Sequence, residues 1–315
     1  MAEAQAPALS ALTKDEAWPA LPLAEWEDTR ATLHMWTQMA GKVALALSPR
    51  VNHCWAEALH ISPCGLTTTP IPYPLGIFTL EFDFVDHVLR ITTSRNEIET
   101  IFLAPRTVAD FYREFTAVLA SLKINAKIWP MPVEVPNPIR FDKDTQHASY
   151  NPEYANRCWR ILTSVATICQ EFRARFIGKA SPVHFFWGSF DLAASRFSGR
   201  RAPERPGADA WTRESYSHEV SSGGWWPGQG GFDAPMFYAY CSPEPAGFRA
   251  ATVLPAEAYY DAKIGEFLLP YNAVRNSPDP KSMLLDFLQS TYEAGANLGK
   301  WDRASLERQS QKRIE

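Results

Sequence analysis

Between Glu153 and Phe176 the residues Cys158, Ile161, Leu162, Val165, Ile168, Cys169 and Phe172 return at steps of three or four. That period lines one side of an α-helix of about six turns, and so long an apolar stripe has to be covered by other structure. Just upstream, Pro130-Met131-Pro132 through Pro136-Asn137-Pro138 can lie inside neither a continuous helix nor a central strand. Helix and proline run together divide the chain into two parts and make the second begin with a helix.

The part before the prolines has its own order. From Thr29, Leu33, Trp36, Ala40 and Val43 keep helical spacing, with Gly41 read as a frayed end. Phe78, Leu80, Phe82 and Phe84 then alternate with Thr79, Glu81 and Asp83, the period of a half-buried strand. Segments 88–92 and 99–103 read as further strands, Pro105 closes the sheet, and Val108, Phe111, Phe115 and Leu119 mark a second helix. Beyond the long helix the order recurs: strand-like 183–192, 216–221, 236–241 and 266–269, then Pro270 and a helix from about Asp279 carrying Leu284, Leu285, Leu288 and Tyr292.

Two short matches accompany this order. Gly41-Lys42 followed by 48–55 parallels Gly178-Lys179 followed by 181–187, and 99–105 parallels 266–270. The expected class is therefore α+β, with two helix–antiparallel-sheet–helix lobes, and an internal duplication is one reading of it. The divisions are a flexible start at 1–17, a first lobe at 18–129, a proline-rich linker at 130–152, a second lobe at 153–300 and a tail at 301–315.

Charge narrows the partners. Lys and Arg number 31 against 35 Asp and Glu, a formal charge of -4, with no basic excess to neutralise a phosphate backbone. Nucleic acid is not an expected partner. Neither is a membrane: no apolar run reaches the ~20 residues a spanning helix needs, and the N-terminal residues lack the basic and apolar regions of a signal peptide. The cytoplasm is the expected location. The five cysteines have no C-x-x-C spacing and read as reduced thiols.

Standard reaction motifs are missing. There is no phosphate-binding G-x-x-x-x-G-K-[ST], no G-x-S-x-G elbow, and His218-Glu219 lacks the second histidine of H-E-x-x-H because Ser222 stands there. His53 and His60, seven apart, would sit on opposite faces of a strand, and Asp144 and His147 have an i, i+3 spacing that suits either a metal or a local turn.

What remains is a polar concentration in the second part. His184, His218, Glu219 and Asp191 form the candidate catalytic set, His as general base or metal ligand and the carboxylates as its partners. Arg196 and Arg200 are candidate anion clamps, and Tyr216, Trp187 and Trp225 candidate substrate contacts. On an ideal strand His184, Phe186, Gly188 and Phe190 share one face and Trp187, Ser189 and Asp191 the other. Glycines flank Trp225-Trp226, as in a lid. Each residue also has a structural reading: a core histidine, an Asp191–Arg196 pair, a solvated arginine cluster, packing tryptophans. The cofactor is unidentified, with a divalent metal open, and the oligomeric state cannot be read.

The run from Pro182 to Pro203 with its phrase His184-Phe185-Phe186-Trp187-Gly188-Ser189-Phe190-Asp191, together with 67–73, 218–222 and 285–293, resembles the domain-of-unknown-function family 5996. The resemblance extends over Trp18 to Leu306. It implies a soluble, mainly bacterial protein and brings no activity, cofactor or catalytic residue. The residues leave two functions: a small-molecule enzyme with a His/carboxylate/Arg pocket in the second lobe, or a non-catalytic module that binds a ligand or a protein through aromatic surface.

Overall fold

A computed structural model describes residues 13–228 and 231–308. The start of the expected flexible N-terminus, Gln229 and Gly230 of the glycine-rich stretch, and the tail from 309 lie outside the described residues. The first described element is a short helix, α1 (Lys14–Ala17), with a capping box between Thr13 and Glu16.

Helix α2 (Leu23–Leu47) is longer at both ends than its spacing suggests, and Gly41 lies inside it. The reason is tertiary. A Cβ at Gly41 would run into the Trp187 indole, so the glycine marks a close approach, not an end. After α2 come β1 (His60–Ile61), β2 (Gly65–Thr67), β3 (Ile71–Tyr73), β4 (Gly76–Asp83), β5 (Val88–Thr93) and β6 (Ile98–Phe102), then α3 (Val108–Ser121). All pair antiparallel in the order β1-β2-β4-β5-β6, with β3 also on β4. The alternation in β4 is as the sequence indicates: Phe78, Leu80 and Phe82 are at most 1% exposed. Each such side chain contributes roughly 1.5–3 kcal/mol by leaving water. Helix α3 starts where Thr107 accepts from the Asp110 amide at 3.0 Å, and its Phe111 stacks on Trp36 of α2.

The second half runs α4 (Pro152–Ala174), β7 (His184–Phe186), β8 (Asp191–Arg201), α5 (Ala210–Ser215), β9 (His218–Trp226), β10 (Met236–Ser242), β11 (Tyr259–Asp261), β12 (Glu266–Pro270), α6 (Tyr271–Asn276), α7 (Pro280–Leu298) and α8 (Arg303–Leu306). Its sheet is antiparallel in the order β11-β12-β10-β9-β8-β7. Both α4 and α7 open with a side-chain cap and a proline at the first helical position, Asn151-Pro152 and Asp279-Pro280. The architecture is α+β, with two antiparallel sheets.

In each half a helix leads into five strands that neighbour one another in chain order, apart from the added strands β3 and β11, and a helix follows. The leading hairpins match: Ile61 pairs Leu66 across residues 62–65, and Phe186 pairs Asp191 across 187–190. These hairpins also join the sheets, because the Leu59 and Phe185 amides donate to each other's carbonyls at 2.9 and 2.7 Å. Of the two sequence matches, 99–105 against 266–270 falls on corresponding strands β6 and β12. The Gly-Lys match does not, since Gly41 is within α2 and Gly178 follows α4.

One face of the second sheet packs on α4 and α7. Arg196 lies on that face, 1% exposed, its guanidinium 3.5 Å from the Phe172 ring centre and 4.3 Å from that of Tyr292, donating to the Phe172 carbonyl. The opposite face is not covered by α4 or α7. It forms the floor of a cavity.

A carboxylate cavity walled by tryptophan

Antiparallel register decides which side chains share the cavity floor. Phe186 pairs with Asp191, Ala193 with Gly224, Gly224 with Tyr238, and Ser195 with Ser222, so all of these lie on one face. Trp226 follows Trp225, the partner of Leu192, and so comes onto the same face beside Asp191. Glu266 follows the same logic from β12, next to Phe267, the partner of Ala239. Over this floor lie the C-terminal end of α2, the segment 53–58, the proline-rich segment at 127–134 and α5. The cavity, open to solvent on one side, measures about 1100 Å³, at the upper end of the range for small-molecule sites. Five tryptophans line it: Trp55, Trp129, Trp187, Trp211 and Trp226.

Asp191 is its most organised polar group. The carboxylate is 8% exposed, with Ser189 donating to Oδ1 and Tyr238 to Oδ2. Burial pushes its carboxyl above the ordinary range, while those two hydroxyls pull it back. Tyr238 reaches it across β9, and Gly224 makes that crossing possible: a Cβ there would sit 2.9 Å from the Tyr238 oxygen and run into the Leu192 carbonyl. Burial and the adjacent Asp191 push the Glu266 carboxyl up to about 7. A hydroxyl chain continues the floor, with Ser195 and Ser222 2.8 Å apart and Tyr216 and Tyr240 3.3 Å apart.

The third carboxylate comes from the proline-rich segment. Glu134 has φ 56°, left-handed backbone that costs a non-glycine residue about 1–3 kcal/mol. Gln38 of α2 holds it there, donating to the Val133 carbonyl at 2.8 Å and accepting from the Val133 amide at 2.9 Å. A Cβ on Gly188 would come within 2.6 Å of Glu134 Oε1, so the glycine opens room for this carboxylate. His34, one turn before Gln38, donates to the Gly188 carbonyl at 2.8 Å. Burial takes the His34 imidazole down to about 4, which keeps it a neutral donor.

Three basic residues, Lys42, His53 and Lys127, line the same space. Lys42, 6% exposed, holds its ammonium 5.5 Å from the Trp129 ring centre and 5.7 Å from that of Trp187, and burial lowers it to about 8. His53 donates from Nδ1 to the Ser215 carbonyl at 3.0 Å, which leaves Nε2 to accept from Lys179 at 2.6 Å.

The sequence-derived candidates separate here. Asp191, Tyr216 and Trp187 line the cavity. His184 is fully buried in the edge strand β7, edge-on to Phe186 at 4.3 Å, and desolvation takes its imidazole down to about 3. His218 sits near the other end of β8, its ring 5.7 Å from His53. Their partners on β8, Ala193 and Arg201, are separated along the strand by on the order of 20 Å, so the two histidines do not meet in one pocket. Glu219 pairs with Arg200 at 2.6 Å, away from Asp191. Arg196 is enclosed by the helix layer and clamps no cavity ligand. Trp225 is fully buried on that helix-facing side, and only Trp226 faces the cavity; both belong to β9 and form no lid loop.

The ideal-strand face assignment of 184–191 also changes. Strand β7 ends at Phe186, and the turn through Phe190 (φ 58°) brings Asp191 onto the face of Phe186. Asp144 and His147 bond each other at 2.7 Å, and Asp144 accepts from two local amides, which closes that turn. No group of three or more His, Cys, Asp or Glu among the described residues is disposed to hold a metal ion.

Fold and cavity define an α+β protein with an aromatic, acid-rich cavity on one face of its second sheet. No helix among the described residues is long and apolar enough to cross a membrane. The chain belongs to the family of unknown function DUF5996, whose model matches residues 18–308. No curated protein and no solved structure matches it.

Proposed function

We propose that this protein is a cytoplasmic small-molecule enzyme whose cavity performs proton transfer with Glu266, while Asp191 orients the bound molecule. The observation that carries this reading is Glu266 beside a hydroxyl-anchored Asp191 on the floor of a roughly 1100 Å³ chamber. A carboxyl that titrates near neutrality can both give and take a proton at cellular pH. Tyr238, whose phenol burial holds well above its ordinary range, stays protonated and keeps donating to Asp191.

The test is turnover. The purified full chain is incubated with a broad metabolite panel and followed by mass spectrometry, beside Glu266→Gln and Asp191→Asn. The reading expects at least one compound to be consumed, with turnover down about 100-fold or more in Glu266→Gln. Equal turnover in wild type and Glu266→Gln would contradict it. A second reading, a non-catalytic binder, rests on Trp129, which is 64% exposed at the cavity and offers a contact surface.

A further inference from the structure

We infer that the ligand of this cavity is an extended organic cation: an amine or quaternary ammonium on a carbon skeleton. This rests on the cavity being the functional site and names the class of molecule it takes.

The lining residues include five carboxylates, Glu57, Glu134, Asp191, Asp209 and Glu266, against two lysines, Lys42 and Lys127. No arginine, lysine or histidine among the described residues forms an ion pair with Asp191, Glu134 or Glu266, and Glu57 has only Arg50, beyond ion-pair distance, as a counter-charge. Burying carboxylates without a counter-charge is costly, and a bound cation removes that cost.

Two further groups point the same way, independently of the Asp191 cluster. Glu57 lines the cavity at 2% exposure, and its Oε2 has no hydrogen-bond partner. Among the described residues Lys42 has no hydrogen-bond or ion-pair partner, and its ammonium lies against the faces of Trp129 and Trp187. The chain thus already places one alkylammonium against this aromatic wall.

The shape of the site selects among cations. Asp191 is near enough to raise the carboxyls of Glu266 and Glu134, yet among the described residues no three acids converge as a metal would require. Phe186 and Trp226 flank Asp191, apolar surface that fits methylene or N-methyl groups and not a hydrated ion. Other ligand classes fit less well. Among the described residues the lining contains no arginine to fork a carboxylate or phosphate, and no asparagine or glutamine of the kind that reads sugar hydroxyls.

The full chain is titrated with putrescine, spermidine and choline at constant ionic strength, read by tryptophan fluorescence and calorimetry. Xylitol and succinate serve as neutral and anionic counterparts. At pH 8 at least one ammonium probe should bind saturably, and the counterparts should not. Affinity should fall at least tenfold at pH 5, and at least tenfold in Asp191→Asn and in Trp226→Leu, but remain in Glu219→Gln, whose carboxylate lies outside the cavity. Should one variant unfold, the other keeps the test. No binding by any ammonium probe overturns the inference, as does ammonium binding unchanged in both cavity variants. Xylitol or succinate binding that depends on Asp191 overturns the ligand class but leaves the cavity as the functional site; loss of turnover in Glu266→Gln alongside ammonium failure separates the two in the same way.

Discussion

The Tyr238 hydroxyl crosses an entire strand to donate to Asp191, and it does so over Gly224, the residue that pairs with Ala193 on one side and Tyr238 on the other. Carboxylate, phenol and glycine thus form one unit spread over β8, β9 and β10. Gly224→Ala should break it, because the new methyl meets the Leu192 carbonyl and the Tyr238 oxygen. We expect a loss of about 1–3 kcal/mol in urea unfolding together with weakened binding in the cavity. Gly223→Ala points to the other side, toward Leu288, and should cost stability while leaving binding intact.

Gln38 supports the site from outside it. Gln38→Leu removes both hydrogen bonds to Val133, leaves that backbone unpaired and releases the left-handed conformation of Glu134. The expected loss is about 1–3 kcal/mol, with faster amide exchange at 133–135 than in the wild type. Unchanged exchange would show that the prolines alone hold this segment.

Arg196→Met tests the separation of the two sheet faces. The guanidinium stacks among Phe172, Phe176 and Tyr292, and truncating its charge loses cation–π and carbonyl contacts worth roughly 2 kcal/mol. Urea unfolding should show the loss, and ligand titration should show none. A binding defect at full stability would return Arg196 to the site.

Acid should act on the fold through two opposing groups. The folded chain refuses His34 a proton until about pH 4, whereas the unfolded chain accepts one near 6.5, so stability present above 6.5 is lost as pH falls toward 4. Glu266 has the reverse sign. Its folded carboxyl holds a proton up to about pH 7 and its unfolded one releases it near 4.5, so its contribution is present below 4.5 and is lost as pH rises through 7. Glu266→Gln should therefore gain on wild type between pH 4.5 and 7, by up to ~3 kcal/mol less the screening by cavity water. Melting temperatures across that range check the sign.

Local periodicity made α3, α4, α7 and β4 readable, since each buries one face and shows it in the residue order. The cavity was readable at Asp191, Trp187 and Tyr216, where polar and aromatic residues cluster next to the strands of the second sheet. Glu134 was hidden because a proline-rich run reads as a linker, and only its clamp by Gln38, far away in sequence, turns it inward. Glu266 was hidden inside a strand whose alternation gives no sign of what lies opposite. The His184 and His218 expectation failed for a geometric reason: neighbouring strands bring residues together by register, and these two stand at different ends of β8.

Native mass spectrometry after incubation with a small-molecule cell extract addresses the central claim most directly, with wild type and Asp191→Asn matched for melting temperature. The account predicts a discrete small-molecule adduct on wild type that is absent from the variant. Identical spectra for the two proteins, with or without an adduct, would contradict the assignment of Asp191 and its cavity as the functional site.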